Sequence, residues 1–555
     1  MHTFAPEVAP VGDSLFLSAL VGIIPLLVFF VMLAVFRTRA QTAGAAALVV
    51  AIVVAIFGFK MPADFALLSA TQGAAFGLVP ILYIVIMAIW LYGLTVRSGR
   101  FEDLRSIFDL VGHGDIRVQA ILIAFCFGGL LEALAGFGAP VAITATMLMA
   151  LGVKPLKAAT TVLVANTAPV AFGAIATPIT TAAQLSGLHA EHIGAIVGRQ
   201  SPLLAWFIPF LLLFLLDGIK GIKQLWPLTL VVGVCFSVAQ YFCANHFSYE
   251  LTDIVAALVG MAVAVIFMMF FKPKGADEAR ERMGIEKPKA AEKLSGARIW
   301  LALFPYILLV VVFGVAKLVP AVAAGLKATD AHIPWPGLAK GLVDADGNPL
   351  KSGVFELPWL SSPGFLLLLT GVIVTIVYSV CSSGDRFTLT PAEGVKELGT
   401  TIVKMGGAIL TIVLVLALAY VMNFSGQTKS VGVFLAQTGP MFALLSPVLG
   451  WIGTAVTGSD TSANALFASL QNTAATGAGI DPNLTVSANT TGGVVGKLIS
   501  PQNLAIAATA VNLPGQEATI LRKVLGWSVG LLALLCIIVY LQSTPVLGWM
   551  ISGLN

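Results

Sequence analysis

The chain contains the same interrupted segment twice, and this duplication limits its fold more than any other feature. The first copy, NTAPVAFGAIATP, places Asn166-Thr167, Gly173 and Pro178 in order. The second, NTTGGVVGKLISP, repeats that spacing at Asn489-Thr490, Gly496 and Pro501. Both lie deep in apolar sequence. A helix broken there by Gly, Pro and Asn frees backbone N–H and C=O groups that lipid cannot satisfy, so such a break survives only against protein or around a cavity. Breaks at matching positions of two halves point to a transporter's binding site.

Composition agrees with a membrane protein. Of 555 residues, 58% are hydrophobic and 10% charged, against about 25% charged in soluble domains. Apolar runs of spanning length recur from Leu15 to Leu541, which reads as an all-α polytopic membrane protein. The net charge of +4 sits in loops, where Lys and Arg set orientation. No basic patch interleaved with aromatics suggests nucleic acid. The five cysteines lack metal-ligand spacing and read as small buried hydrophobes. No cofactor is expected. MHTFAPEVAPVGD has no basic signal-peptide region, and residues 15–36 are long enough to span. Arg37 and Arg39 then place the N-terminus outside.

The same charge rule orients the remaining segments. Spans at 41–58 and 64–96 lead to Arg97, Arg100 and Arg105 inside. Residues 118–152, with the turn-rich tip Gly136–Pro140, form a re-entrant hairpin, and 157–187 is a broken helix crossing outward to His189 and His192. Spans near 202–216, 225–243 and 251–271 reach a linker, 272–298, whose eight Lys/Arg and five Asp/Glu mark it as a solvated cytoplasmic connector. The second half, 299–555, repeats the pattern upside down. A span at 299–319 is followed by an outer loop, 320–358, then by spans at 363–381 and 406–423. A hairpin at 432–476 with tip Thr457–Asn464, a broken helix at 484–511 and a last span at 524–542 complete it, leaving the C-terminus outside. The architecture is two inverted-topology repeats, 1–271 and 299–555, with about 12 membrane-spanning helices, two of them broken, plus two re-entrant hairpins. Gly136 and Gly458 are 322 residues apart, and Asn166, Gly173 and Pro178 precede their counterparts by 323 each.

The stretch CFGGLLEALAGFGAPVAITATMLMALGVKPLKAATTVLVANTAPVAFGAIATP resembles the first hallmark region of the lactate permease family. GSDTSANALFASLQ followed by ANTTGGVVGKLISPQNLAIAA resembles the second, and GRQ (198–200) and DGIKGIKQLWP (217–227) extend the likeness along the chain. The resemblance implies proton-coupled secondary transport of L-lactate and related short 2-hydroxy monocarboxylates, such as glycolate and D-lactate, across a bacterial cytoplasmic membrane. It also implies the wider ion-transporter fold of paired hairpins and broken helices.

A 2-hydroxy acid presents a carboxylate, a neighbouring hydroxyl and a small apolar end. Half-helix N-termini at tips and breaks favour such an anion. Gly136, Gly138 and Gly458 let backbone approach it closely. Asn166, Thr167, Ser459, Thr461, Ser462, Asn489 and Thr490 offer amide and hydroxyl groups. Small and hydroxylated residues also simply pack helices closely in lipid, but tips and breaks duplicated at fixed spacing favour the binding role. Charge within the apolar region carries function by default. Lys497 suits the substrate carboxylate, Asp460 lies in the second tip, and Glu132 lies four residues before the first. Proton symport needs a carboxyl that alternates between protonated and charged states; Glu132 and Asp460 are both candidates, and a static ion pair among the three is the alternative. Arg199, in the outer loop, could attract anions.

The main competitor is a sodium-coupled anion transporter, with Na⁺ held by oxygens at the Asn-Thr breaks. A channel is compatible with the breaks but not favoured by an inverted repeat. An enzyme is remote, because GxxxxGK[ST], HExxH and GxSxG in a suitable context are missing. Protons, the small-molecule substrate and the bilayer are the expected partners, and a homo-oligomer is compatible with the sequence.

Overall fold

The computed structural model describes residues 3–552, apart from 113, 137, 286–293, 345 and 385. Phe137 of the first tip and the middle of the charged linker lie outside the described residues. The described chain is almost entirely helical, and eleven of its helices are long and apolar enough to cross a membrane. Side chains exposed along them, including Phe57, Phe270, Val380 and Ile537, are apolar, as a hydrocarbon solvent requires.

Helices Leu15–Ala34, Ala40–Gly58 and Ala63–Arg97 precede the first hairpin. Its first arm runs through Ile116–Ala120, a π-helical stretch Ile121–Phe127 and Gly128–Ala135; its second is Ala139–Ala150. Gly138 makes the turn at φ 87°, which a Cβ would oppose. The first broken helix follows as Pro155–Ala165 and Thr177–Ser186. In the second half, Gly296–Leu318, Pro363–Val380 and Gly406–Ser425 lead to Gln427–Ala436 and then to a hairpin of Phe442–Thr457 and Asp460–Ala478. The second broken helix is Pro482–Gly496 and Pro501–Ala510, and Glu517–Gln542 ends the bundle.

In both halves a hairpin is followed directly by a broken helix, and the two units interlock. Thr177–Ser186 packs on Asp460–Ala478, while Pro501–Ala510 packs on Ala139–Ala150. The far half of each broken helix therefore lies against the second arm of the other unit's hairpin. This crossing brings both tips and both breaks to one place. The second unit is itself packed closely, with Gly450, Gly492 and Gly496 placed where a Cβ would meet the carbonyls of Asn489, Pro447 and Trp451. This is the close helix approach that small residues permit in lipid.

The two breaks differ. Residues 166–173 of the first leave the helix at Asn166-Thr167, and the backbone passes through left-handed conformations at Gly173 (φ 51°), Ile175 (φ 47°) and Ala176 (φ 53°). Such conformations cost about 1–3 kcal/mol each for residues with a Cβ, and strain of this kind concentrates at functional sites. In the second copy Asn489-Thr490 stays inside the helix Pro482–Gly496, and the break comes later, at a 3₁₀ turn Lys497–Ile499 and an extended Ser500. The second break ends at Pro501, which lacks an N–H and whose ring holds Ser500 in an extended conformation.

Two other expectations are corrected. The span placed at 202–216 instead begins with Ala190–Ala205, so Arg199 lies in a helix and not in an outer loop. Its charge is held by hydrogen bonds to Asn245 Oδ1 at 2.8 Å and to the Met550 and Ser552 carbonyls at 2.6 and 3.2 Å, fastening the C-terminal segment. Residues 208–246 then hold two helices that meet at a break at Gly218 (φ 67°, ψ −156°), beside Asp217, where the spans at 202–216 and 225–243 were expected to separate. The linker is not merely solvated. Its helix Ala276–Met283 buries Ala279 and Met283. Arg280 donates to the Gly114 carbonyl at 3.1 Å, and Arg282 pairs with Asp217 at 2.7 Å.

The basic segments gather at one end of the bundle. Arg97 pairs with Glu393 at 3.1 Å, Arg298 with Asp103 at 2.5 Å, and Arg100 donates to the Cys381 carbonyl at 3.0 Å. At the other end the 320–358 loop forms a two-stranded ribbon, Ala331–Pro334 with Val354–Leu357. Phe4 of the N-terminal segment is hydrogen-bonded to Gly341 and Val343 there.

Candidate functional site

The site forms where the second break crosses the first hairpin. The 3₁₀ turn after Gly496 aims Lys497 across the units, and its Nζ donates to Glu132 Oε1 at 2.5 Å and to the Gly136 carbonyl at 3.1 Å. Lys497 is 6% exposed and Glu132 2%. Asn166, on the first break, lies beside the Glu132 carboxyl. Asp460 stands in the first turn of Asp460–Ala478, and its Oδ1 accepts from Thr454 Oγ1 at 3.3 Å. Asp460 Oδ2 and Glu132 Oε2 are buried and close no hydrogen bond.

A cavity of about 40 Å³ opens between these groups. Glu132, Asp460 and Lys497 line it, together with the backbone of Gly136, Gly173 and Gly458. Ser459, Thr461, Thr177 and Gln502 supply neutral polar atoms, and Val170, Ala174 and Pro178 an apolar side. Two helices begin at its wall. Ser459 caps one by accepting from the Ser462 N–H at 3.3 Å, Thr177 starts the other, and the Thr177 and Thr461 hydroxyls are 3.3 Å apart. Both N-terminal dipoles favour an anion here. Lys497 is the one cationic side chain on the described lining.

The structure brings seven of the sequence candidates to this cavity: Glu132, Gly136, Gly458, Ser459, Asp460, Thr461 and Lys497. The others lie nearby. Asn166 and Thr167 line a narrow cleft behind Lys497, together with Asn503. Gly138 lies against Ile506 and Asn503 of the second broken helix. Ser462 is one turn into its helix and buried. Asn489 accepts from Gln471 at 3.1 Å and donates to Asn464 at 3.1 Å, while Thr490 donates to Asn464 at 2.9 Å. These two residues join the second broken helix to the second hairpin instead of facing the cavity.

Thr177 and Gln502 escaped the sequence reading. Each adjoins the proline that starts its half-helix, and Pro at the first turn with a polar neighbour was the available signal. Among the described residues, no group of three or more His, Cys, Asp or Glu could hold a metal. His189 and His192 stand at the start of Ala190–Ala205, away from the cavity lining.

Gly493 leaves the space that Asp460 fills: a Cβ there would meet Asp460 Oδ1, and Thr454 Oγ1 at 2.6 Å. Gly493→Ala is expected to destabilise the protein by about 1–3 kcal/mol, the usual range for overpacking. Thermal melting of the purified protein reads this, and an unchanged melting temperature would contradict the close fit.

The sequence model of a family described as L-lactate permease matches residues 18–546. An L-lactate permease of Bacillus subtilis is 42% identical, over 98% of this chain and 98% of its own. The glycolate permease GlcA of Escherichia coli is 39% identical over the full length of both chains. A solved structure of MtrF from Neisseria gonorrhoeae is 12% identical with a TM-score of 0.48, covering 94% of this chain and 97% of that one.

Proposed function

The chain belongs to the L-lactate permease family, and from that premise we propose that it carries L-lactate and related short 2-hydroxy monocarboxylates, such as glycolate and D-lactate, across the bacterial cytoplasmic membrane together with protons. The observation that carries this reading is the Lys497–Glu132 pair at the cavity wall. An incoming carboxylate competes with Glu132 for Lys497, the one ammonium among the described residues of that wall. If it displaced an ionised Glu132, two carboxylates would share one cation in a buried site, and an uncompensated buried charge costs several kcal/mol. A proton on Glu132 removes that cost. Substrate and proton then load together, and Lys497 returns to Glu132 when both have left.

The rest of the cavity suits the rest of the molecule. The carboxylate meets Lys497 and the N-terminus of Asp460–Ala478. The hydroxyl meets Thr461, Thr177 or Gln502, and the apolar end faces Val170 and Pro178. The space accommodates only about three waters, so a hydroxy acid enters only as the hairpin tips part. Such parting suits alternating access between two interlocked units, with access given to one side at a time. Asp460, with one free carboxyl oxygen on the same wall, is the second carboxyl of the site.

The test is uptake of labelled L-lactate into proteoliposomes with proton and sodium gradients imposed separately, in competition with glycolate, D-lactate, pyruvate and acetate. Uptake driven by sodium alone would overturn proton coupling, and pyruvate or acetate competing as well as glycolate would overturn the hydroxyl contact. One coupled proton across one pH unit supports about tenfold accumulation. Glu132→Gln is expected to lose that accumulation while exchange of labelled for unlabelled lactate remains measurable; full accumulation in this variant would remove Glu132 from the coupling. Exchange accelerated by external lactate also separates a carrier from a pore.

A further inference from the structure

Another buried carboxyl lies outside the cavity, on the first turn of the helix Thr252–Phe270. Asp253 is 1% exposed, and no Lys or Arg pairs with it among the described residues. Its Oδ1 accepts from Gln240 Nε2 at 2.8 Å. The same Nε2 donates to the Ala168 carbonyl at 3.1 Å, and Ala168 belongs to the unwound stretch of the first broken helix. Gln240 is itself fully buried, on Ile208–His246. Two atoms of this group have no partner: Asp253 Oδ2 and Gln240 Oε1. Both are acceptors when Asp253 is ionised, and buried polar atoms are rarely left unpaired.

An amide that donates to one oxygen of a carboxyl is set to accept from the other. A single proton on Asp253 Oδ2 would supply a donor where two buried acceptors now stand without one, and would complete a cyclic acid–amide pair with Gln240 Oε1. The titratable groups facing Asp253 are Glu132 from the first hairpin and the Cys243 thiol from the helix of Gln240. Glu250, on the preceding turn, is taken up by Lys317 at 2.6 Å and Ser248 at 2.7 Å. Asp253 therefore faces Glu132, whose own partner is Lys497, and no buried ammonium among the described residues is left to pair with Asp253.

We propose that Asp253 is a second proton-binding site of the transport cycle, protonated while Gln240 holds the Ala168 carbonyl and ionised when that contact is released. The proton comes from water, forms one O–H bond at Oδ2, and returns to water when the break moves. Ionisation would set two carboxylates, Asp253 and Glu132, against each other and loosen the clamp on the break. This site answers to the conformation of the first broken helix, whereas Glu132 answers to substrate. It rests on the proton-coupled reading for its place in the cycle, but not for its protonation.

The test is Asp253→Asn in the full-length protein, since an Asn amide reproduces both contacts of the protonated acid. Two measurements are made. Infrared spectra of the protonated-carboxyl stretch, compared between wild type and variant, are expected to lose one band; no loss overturns the proposal whatever the substrate. Lactate exchange is then followed from pH 6 to pH 8.5 on both sides of the liposome. Wild-type exchange is expected to fall by about tenfold or more over that range, as one proton's occupancy changes about tenfold per pH unit above its titration, and the variant's profile to be flattened. A variant profile that tracks the wild type overturns Asp253 alone. A flat wild-type profile overturns both this site's role in transport and the coupling at Glu132, and no lactate exchange in wild type sinks the substrate reading while the infrared result still stands.

Discussion

Lys497→Met is expected to reduce L-lactate uptake by roughly thirtyfold or more and to destabilise the protein at the same time. The two effects have different sources. Loss of the ammonium removes the one charged partner that the cavity offers a carboxylate, and truncating one member of a buried charge pair costs about 2–5 kcal/mol, of which each 1.4 kcal/mol is tenfold in affinity. The destabilisation comes from Glu132, left 2% exposed with no cation; breaking a buried pair by removing one partner typically costs about 3–5 kcal/mol. The double variant Glu132→Gln/Lys497→Met separates them. Its melting temperature should recover most of the loss, because no buried charge is left unpaired, while uptake stays low. Recovery of both stability and uptake would mean that Lys497 serves only to neutralise Glu132. An uptake rate unchanged in Lys497→Met would remove the ammonium from substrate binding altogether.

Arg117→Met should be the most destabilising change outside the cavity. Arg117 is fully buried and spends its guanidinium on four partners. It binds Asp115 in a two-pronged pair at 3.0 and 2.8 Å, Asp217 at 3.0 Å, Gln224 at 2.5 Å and the Lys274 carbonyl at 3.1 Å. These contacts join the start of the first hairpin to the bend at Gly218 and to the linker. Without the Arg117 guanidinium, Asp115 keeps the backbone N–H of residue 117 but loses its cation, and Asp217 keeps only Arg282 among the described residues, so a loss of about 3–5 kcal/mol is expected. Lysine cannot reproduce the planar fork, so Arg117→Lys should recover only part of it. Thermal melting at low and high salt checks both points. A salt-independent drop fits a buried network, since screening acts mainly on exposed charges; no drop at all would show that the network carries no stability.

Much of the site was legible because its signals are local. Gly136, Gly458 and the Asn-Thr…Gly…Pro spacing are backbone features, and the free energy of exposing a broken backbone to lipid depends on the stretch itself. Glu132, Asp460 and Lys497 stood out because charge in an apolar run is costly wherever its partner lies. Their pairing was not legible. Lys497 lies 365 residues from Glu132 and far nearer in sequence to Asp460, yet the interlocked units turn it to Glu132. Asn489 and Thr490 matched Asn166 and Thr167 letter for letter, but Asn464 and Gln471 satisfy them within a continuous helix. Arg199 read as a loop residue because its partners, Asn245 and the carbonyls of Met550 and Ser552, are remote in sequence.

The amino-acid order by itself determined that this chain is a polytopic helical membrane protein, with two tips and two breaks that had to be sheltered from lipid. Those requirements arise from hydropathy, from missing N–H groups and from residues without a Cβ, all properties of short stretches. Only the tertiary structure decided which carboxyl holds the lysine, where the second break falls, and that the charged linker docks on the bundle. Each of those is settled by contacts between segments far apart in the chain, where burial makes an unpaired charge or an open carbonyl more costly than any local preference.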